Sequence, residues 1–413
     1  MGKMIQITAK DGGTFQAYQA VPASGSGPGI VLAQEIFGIN KTMTDMADYY
    51  AEEGYVVLVP DLFWRQEPRV NLNDSNESDM GKALQLYQGF NHDSGVEDID
   101  ATLTALRALP EFTGKTGVLG FCLGGALAYL TACRCRVDVA VGYYGVGLDG
   151  YLGEANKIQG SLTLHFAELD QYCPPEARAA IFAALENKEN VSLYLYPGVD
   201  HAFARKGGSH FHKPSALIAH ERSIAAFRKE IGPHYDLSYL WDKHCEYEFA
   251  SRDVDKTMAT MVAEPYVNHI PTLTGGVGYK HLHRFYKNHF VDSNPADTKL
   301  ISISRTIGAS QIVDELLFCF THTCEIDWML PGIQATGKYV EIPLVAIVKF
   351  RGDKLYHEHI YWDQASVLVQ IGVLNPGGLP VAGIETAKKL LDETLPSNEL
   401  MSNWVEKSAM SSR

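Results

Sequence analysis

The chain has 413 residues and a formal net charge of −14, from 49 acidic against 35 basic side chains. That length predicts two domains, and the charge repels polyanions over most of the surface, so neither nucleic acid nor anionic membrane is an expected partner. With 46% hydrophobic residues and no apolar run of about eighteen, the chain reads as globular and free of membrane-spanning helices.

Residues 1–20 read as an antiparallel edge hairpin, and residues 1–11 lack the apolar core and cleavage site of a secretory signal. Short apolar runs rich in β-branched or aromatic residues follow at 30–33, 55–59, 116–120, 137–143, 162–166 and 191–196. Longer amphipathic stretches separate them, such as 96–109, where Val96, Ile99, Leu103 and Leu106 recur at helical spacing. Strands buried on both faces between helices predict a doubly wound, mainly parallel α/β sheet.

A helical stretch at 215–231 ends at Gly232-Pro233, which puts a domain boundary there and the first domain at 1–232. Helices are then expected at 237–250, 254–262 and 279–289, and strands at 299–307, 311–327, 339–351 and 354–362. The last two strands are joined by a hairpin turn at Arg351-Gly352-Asp353. Helices followed by a strand meander predict an α+β second domain over 233–374, with helices on one side of a curved antiparallel sheet. Residues 375–413 read as a tail with one helix at 384–395. The seven cysteines are scattered without a C-x-x-C pair, so neither a metal site nor a disulfide framework is expected, and a reducing, cytoplasmic compartment fits.

The chemistry-bearing motif is Gly120-Phe121-Cys122-Leu123-Gly124-Gly125, which follows the apolar strand 116–119 and precedes the helix-like run 126–132. This is G-x-C-x-G in the strand-turn-helix setting of a nucleophile elbow. A cysteine there sits at a helix N-terminus, whose dipole favours the thiolate. The bland alternative is a buried structural cysteine. An acid and a base must follow in that order, and Asp170 and His201 each lie just past a predicted strand, where catalytic groups of open α/β sheets gather.

Four segments together resemble the dienelactone hydrolases (carboxymethylenebutenolidases). They are Ala33-Gln34-Glu35-Ile36-Phe37-Gly38, the G-F-C-L-G-G elbow, Val141-Gly142-Tyr143-Tyr144-Gly145, and Asp200-His201-Ala202-Phe203-Ala204-Arg205. The resemblance covers roughly residues 3–230 and implies an α/β-hydrolase fold without a cofactor, acting on a small lactone or ester. It implies that Cys122 attacks the carbonyl carbon, His201 relays the proton and Asp170 orients the imidazole. The oxyanion would be held by the backbone N–H groups of Ile36 and Leu123. Glu35 would accept a hydrogen bond from the resting thiol, and Arg205 and Tyr144 would contact substrate. Lactone-hydrolysing members hold the substrate carboxylate with two arginines. Arg205 matches one, but the other falls on Met80, with only Lys82 nearby. That departure points away from an anionic dienelactone as substrate.

Residues 235–374 resemble the SnoaL-like group of the NTF2-like superfamily, through Tyr266-Val267-Asn268-His269-Ile270-Pro271, the helix at 278–289, Gly352-Asp353-Lys354-Leu355, Tyr361-Trp362-Asp363 and the run 367–372. The resemblance implies a cone enclosing a pocket, with His269, His322, Glu325, His359 and Asp363 as candidates to line it. Alternation along the strand puts His357, His359 and Tyr361 on one face and Glu358 and Ile360 on the other. Such a domain can catalyse proton transfer, bind a ligand or dimerise, and a homodimer through this domain is expected. Three readings therefore compete: a cysteine hydrolase, a two-activity enzyme with an isomerising, hydrating or cyclising second domain, and a binding or assembly protein that has lost activity.

Overall fold

The apolar runs of the first half form one eight-stranded sheet in a computed structural model that describes residues 2–404. The strands are β1 (Lys3–Thr8), β2 (Thr14–Ala20), β3 (Gly27–Ala33), β4 (Val56–Pro60), β5 (Phe112–Phe121), β6 (Val139–Tyr143), β7 (Ser161–Ala167) and β8 (Val191–Tyr196). Their spatial order is β1-β2-β4-β3-β5-β6-β7-β8. Only β2 runs against its neighbours, pairing antiparallel with both β1 and β4. From β4 to β8 every pairing is parallel, as expected of strands linked by helical crossovers.

Burial explains the composition of the strands. Every residue of β3, β4 and β6 is buried, so these runs are continuously apolar rather than alternating. Helices Lys41–Glu52 and Lys213–Ile231 share one face, where Tyr50 meets Phe227 edge-on. Helices His92–Ala108 and Leu123–Arg134 pack on the other. Asn40, Asn76 and Asn91 cap three of the helices, each accepting from a backbone N–H in the first turn. Such caps contribute about 1 kcal/mol each.

The chain divides into two units, Met1–His234 and Tyr235–Arg413. The second has a separate six-stranded sheet of β9 (Met261–His269), β10 (Thr274–Val277), β11 (Lys299–Ile307), β12 (Gln311–Thr321), β13 (Tyr339–Arg351) and β14 (Lys354–Trp362), in the order β10-β9-β14-β13-β12-β11. It is antiparallel except where β14 meets β9. Alternate residues of β12 and β13, among them Leu316, Phe318, Ile342 and Leu344, point into a core with Trp241, Phe290, Trp328 and Trp362.

Two expectations are corrected here. Residues 261 and 262 belong to β9, not to the end of a helix, and the helix stops at Ala259. The tail helix spans Glu385–Leu391, and it is not a free appendage. Its Ala387 is buried against Leu317 and Cys319 on the outward face of β12. No helix among the described residues is long and apolar enough to cross a membrane.

Candidate active site

Cys122 sits between β5 and the helix Leu123–Arg134 with φ 55° and ψ −114°, a conformation that L-residues rarely adopt. The turn is held by close backbone approach. A Cβ on Gly120 would lie 1.8 Å from the carbonyl oxygen of Gly124, and one on Gly124 would lie 2.2 Å from that of Ala33. Only glycine fits at either place. The backbone N–H of Cys122 donates to Tyr143 (3.0 Å) and that of Gly124 to Gln34 (3.1 Å), which ties the elbow to β6 and to the loop after β3.

Asp170 follows β7 and His201 follows β8. His201 Nδ1 lies 2.8 Å from Asp170 Oδ2. A carboxylate there accepts, so Nδ1 carries a proton and Nε2 is the nitrogen that exchanges a proton with the Cys122 sulfur. Asp170 is steadied by the backbone N–H of Tyr172, which donates to Oδ1 at 2.8 Å. Burial opposes charge on His201, yet interaction with the Cys122 sulfur and the Asp170 carboxylate outweighs it and raises the imidazole pKa to about 10. The ring is also clasped edge-on by Tyr144 and Tyr172, with centroids 5.0 and 4.9 Å away.

A cleft of about 170 Å³ opens in front of these groups. Cys122 and His201 lie on its wall with Ile36, Phe37, Met80, Leu84, Tyr87, Val146, Asp74, Tyr172 and Arg205. Among the described residues, the backbone N–H groups of Ile36 and Leu123 have no hydrogen-bond acceptor. Leu123 follows Cys122 in the chain and Ile36 lines the same cleft as Cys122, so the pair is available to a developing oxyanion.

Three expected contacts are absent or different. Glu35 does not receive the thiol. Its Oε2 accepts from Arg205 Nε at 2.7 Å, and its Oε1 has no hydrogen-bond partner among the described residues. Tyr144 is buried behind His201, with its backbone N–H donating to His165, and does not line the cleft. Arg205 lines the cleft but is already engaged. Its Nη1 donates to Asp74 Oδ2 at 2.9 Å, so two carboxylates hold one guanidinium. Burial opposes the Arg205 charge, but Glu35 and Asp74 prevail and hold its pKa above the ordinary value. Asp74 and Tyr172 carried no motif and went unmarked in the sequence.

The second unit has a smaller cavity of about 40 Å³. Of its candidate residues, only His269 lines it, with a pKa lowered to about 4 by burial. His322 is buried elsewhere, its Nδ1 3.1 Å from Thr336 Oγ1. His359 lies on the opposite face of β14 from the cavity-lining Glu358 and Ile360. Asp363 is exposed and serves as a helix N-cap, accepting from the backbone N–H groups of Ala365 and Ser366. Glu325 is exposed and accepts from the backbone N–H of Gly332. The alternation was read correctly, but the cavity is on the other face.

Comparison with known proteins places the first unit. The model of the dienelactone hydrolase family matches residues 15–231. Carboxymethylenebutenolidase 1 of Cupriavidus pinatubonensis is 36% identical over 220 residues, covering 53% of this chain and 94% of that protein. The carboxymethylenebutenolidase of Pseudomonas putida is 36% identical over 220 residues, covering 53% and 93%. A protein of Azospirillum brasilense, provisionally named for the same activity, is 42% identical over 229 residues, covering 55% of this chain and 99% of its own length. The chain is a hydrolase and belongs to the dienelactone hydrolase family.

Proposed function

We propose that the chain hydrolyses a small neutral lactone or ester through a Cys122–His201–Asp170 triad. The observation that carries this reading is the Cys122 elbow with the Asp170–His201 pair behind it, all at the ends of parallel strands and open to one cleft. Cys122 attacks the acyl carbon and expels the alcohol portion, which takes a proton from His201 Nε2. A water then gives its proton back to His201 and attacks the thioester, releasing the acid. The oxyanion formed at each step is met by the backbone N–H groups of Ile36 and Leu123. Cys122→Ala tests this reading: turnover of p-nitrophenyl acetate falls at least about a hundredfold, since covalent catalysis is lost. Near-normal turnover would remove Cys122 from the mechanism.

The cleft's charge supports the choice of a neutral substrate. Arg205 is the guanidinium on the cleft wall among the described residues, and Glu35 and Asp74 already satisfy it. Met80 stands where the family resemblance expects a second arginine, and with Leu84 beside it on the wall an anion meets apolar surface instead.

For the second unit we infer a SnoaL-like cone of the NTF2-like type that brings two chains together. A six-stranded, mainly antiparallel sheet with helices around an apolar core supports the fold assignment. Ile301 and Tyr361 on its strands are 46% and 40% exposed, which supports an association surface beyond the patch that the tail helix covers. Sedimentation of the full chain tests the dimer, and a monomer at micromolar concentration would exclude it.

A further inference from the structure

We propose that His244, Glu248 and Glu358 form a binding site for one divalent first-row transition-metal ion inside the second unit. The three side chains are buried, and they come from separate places: His244 from the helix Leu237–Cys245, Glu248 from the π-helical turn Glu246–Ala250 that continues it, and Glu358 from β14. One donor atom from each lies within 4.8 Å of the others. His244 Nε2 is 3.1 Å from Glu248 Oε1 and 3.2 Å from Glu358 Oε1.

The tautomer of His244 follows from its other nitrogen. Nδ1 is 2.6 Å from Thr260 Oγ1. The Thr260 hydroxyl donates its only proton to the Thr257 carbonyl, also at 2.6 Å. Thr260 can therefore only accept from His244, and Nδ1 must carry a proton. A neutral ring then directs the lone pair of Nε2 between two carboxylate oxygens. Three acceptors would then converge on one point, which calls for either a proton or a metal ion among them.

A proton on Nε2 answers this need only in part. It can be donated along one direction, to Glu248 or Glu358, and the buried group would keep a net charge of −1. Glu358 Oε1 is without a hydrogen-bond partner among the described residues. The buried hydroxyl of Tyr286 lies beside the same two carboxylates, and its single proton can satisfy only one of their oxygens. A divalent ion binds all three acceptors at once and brings the group to zero charge. Zinc-to-nitrogen and zinc-to-oxygen bonds of about 2.0–2.2 Å set tetrahedral ligand atoms about 3.3–3.5 Å apart, and the two separations from His244 Nε2, 3.1 and 3.2 Å, come close to this. A Thr260-held imidazole is also how a ligating histidine is oriented from behind. One imidazole and two carboxylates, without a thiolate, select zinc, manganese or iron rather than calcium or copper(I). Glu248 and Glu358 line the 40 Å³ cavity, so a further coordination position opens into it.

The test uses the full-length protein in a Cys122→Ser background, which removes the thiol that faces an imidazole. Chelator-treated protein is titrated with Co²⁺, Zn²⁺ and Mn²⁺, and bound metal is counted by mass spectrometry after gel filtration. We expect about one ion per chain, visible absorption bands from bound Co²⁺, and a melting temperature that rises with metal concentration. Glu358→Gln, which keeps the side chain's shape, lowers affinity at least about tenfold, and Thr260→Val, which releases the ring, does so by about tenfold or more. Circular dichroism of each variant confirms that it is folded. A folded parent protein that binds no ion would overturn the proposal, as would a Glu358→Gln variant that binds Co²⁺ as tightly as the parent. A melting temperature that Glu358→Gln raises regardless of metal would show that the group is held by protons, and that also overturns it.

Discussion

Arg205 is bound by Asp74 across a gap of 131 residues, with Nη1 2.9 Å from Oδ2. The contact turns what would be an anion-binding arginine into one arm of a Glu35–Arg205–Asp74 row. Its side chains are only 2, 12 and 21% exposed.

Releasing that arm changes what the cleft accepts. Asp74→Asn removes one of the two carboxylates from Arg205, and a carboxylate-bearing lactone can take its place. A charge-assisted hydrogen bond is worth about 1.5–3 kcal/mol, so kcat/KM for the anionic substrate should rise about tenfold or more relative to a neutral ester of similar size. Met80→Arg added to Asp74→Asn should raise it further. An unchanged ratio in both variants would show that cleft shape, not charge, sets the preference.

The His201 pKa, raised to about 10, makes a prediction about pH. A raised pKa means that the folded state holds the proton more tightly than the unfolded chain. The resulting stabilisation is complete below about pH 6.5 and is lost as pH rises towards 10. Hydrolysis should fall at the alkaline end, as the imidazolium that protonates the leaving group disappears. Asp170→Asn removes one of the groups that raise the pKa, so its alkaline limb should move to lower pH. A kcat/KM profile from pH 6 to 11 checks this, and coincident limbs in the two proteins would contradict the assignment.

The elbow glycines are testable through stability. Gly124→Ala forces a Cβ to within 2.2 Å of the Ala33 carbonyl oxygen, backbone against backbone. A cost of roughly 3 kcal/mol or more is expected, because neither neighbour can rotate away. Gly153→Ala meets nothing within 4 Å and should stay within about 0.5 kcal/mol of the parent. Urea denaturation of both variants measures the contrast, and equal midpoints would mean that the turn relaxes easily.

The relative from Azospirillum brasilense is covered along 99% of its length by 229 residues of alignment. One unit therefore suffices for a whole protein of this family. Residues 1–234 alone should fold, hydrolyse p-nitrophenyl acetate at a rate within a few-fold of the full chain, and sediment as a monomer. A folded but inactive fragment would mean that the second unit completes the active site.

Much of this was legible in the sequence, for reasons specific to each element. The strands of the first unit are buried on both faces, so they stand out as apolar runs, and the elbow and Asp170 and His201 all sit just beyond such runs. Contacts between distant loops leave no such trace, and the Asp74–Arg205 pair was invisible for that reason. In the second unit, β9 carries Pro265 and exposed Ala263 and Glu264, so the pattern at its start continues that of the preceding helix. On β14 the alternation was clear but the choice of face was not. Glu358 shares its face with Ile360 and Trp362, and that apolar company was the available sign that it points inward. His357 and His359 drew attention to the other side.

The central claim is a covalent acyl-enzyme on Cys122, and mass spectrometry tests it most directly. The intact protein is quenched with acid within milliseconds of mixing with a p-nitrophenyl ester, then digested and mapped. The account predicts one acyl group per chain, carried by the peptide that contains Cys122, with accumulation greatest in a His201→Ala variant if deacylation slows more than acylation. An unlabelled Cys122 peptide during steady turnover, or an acyl group on a different residue, would contradict it.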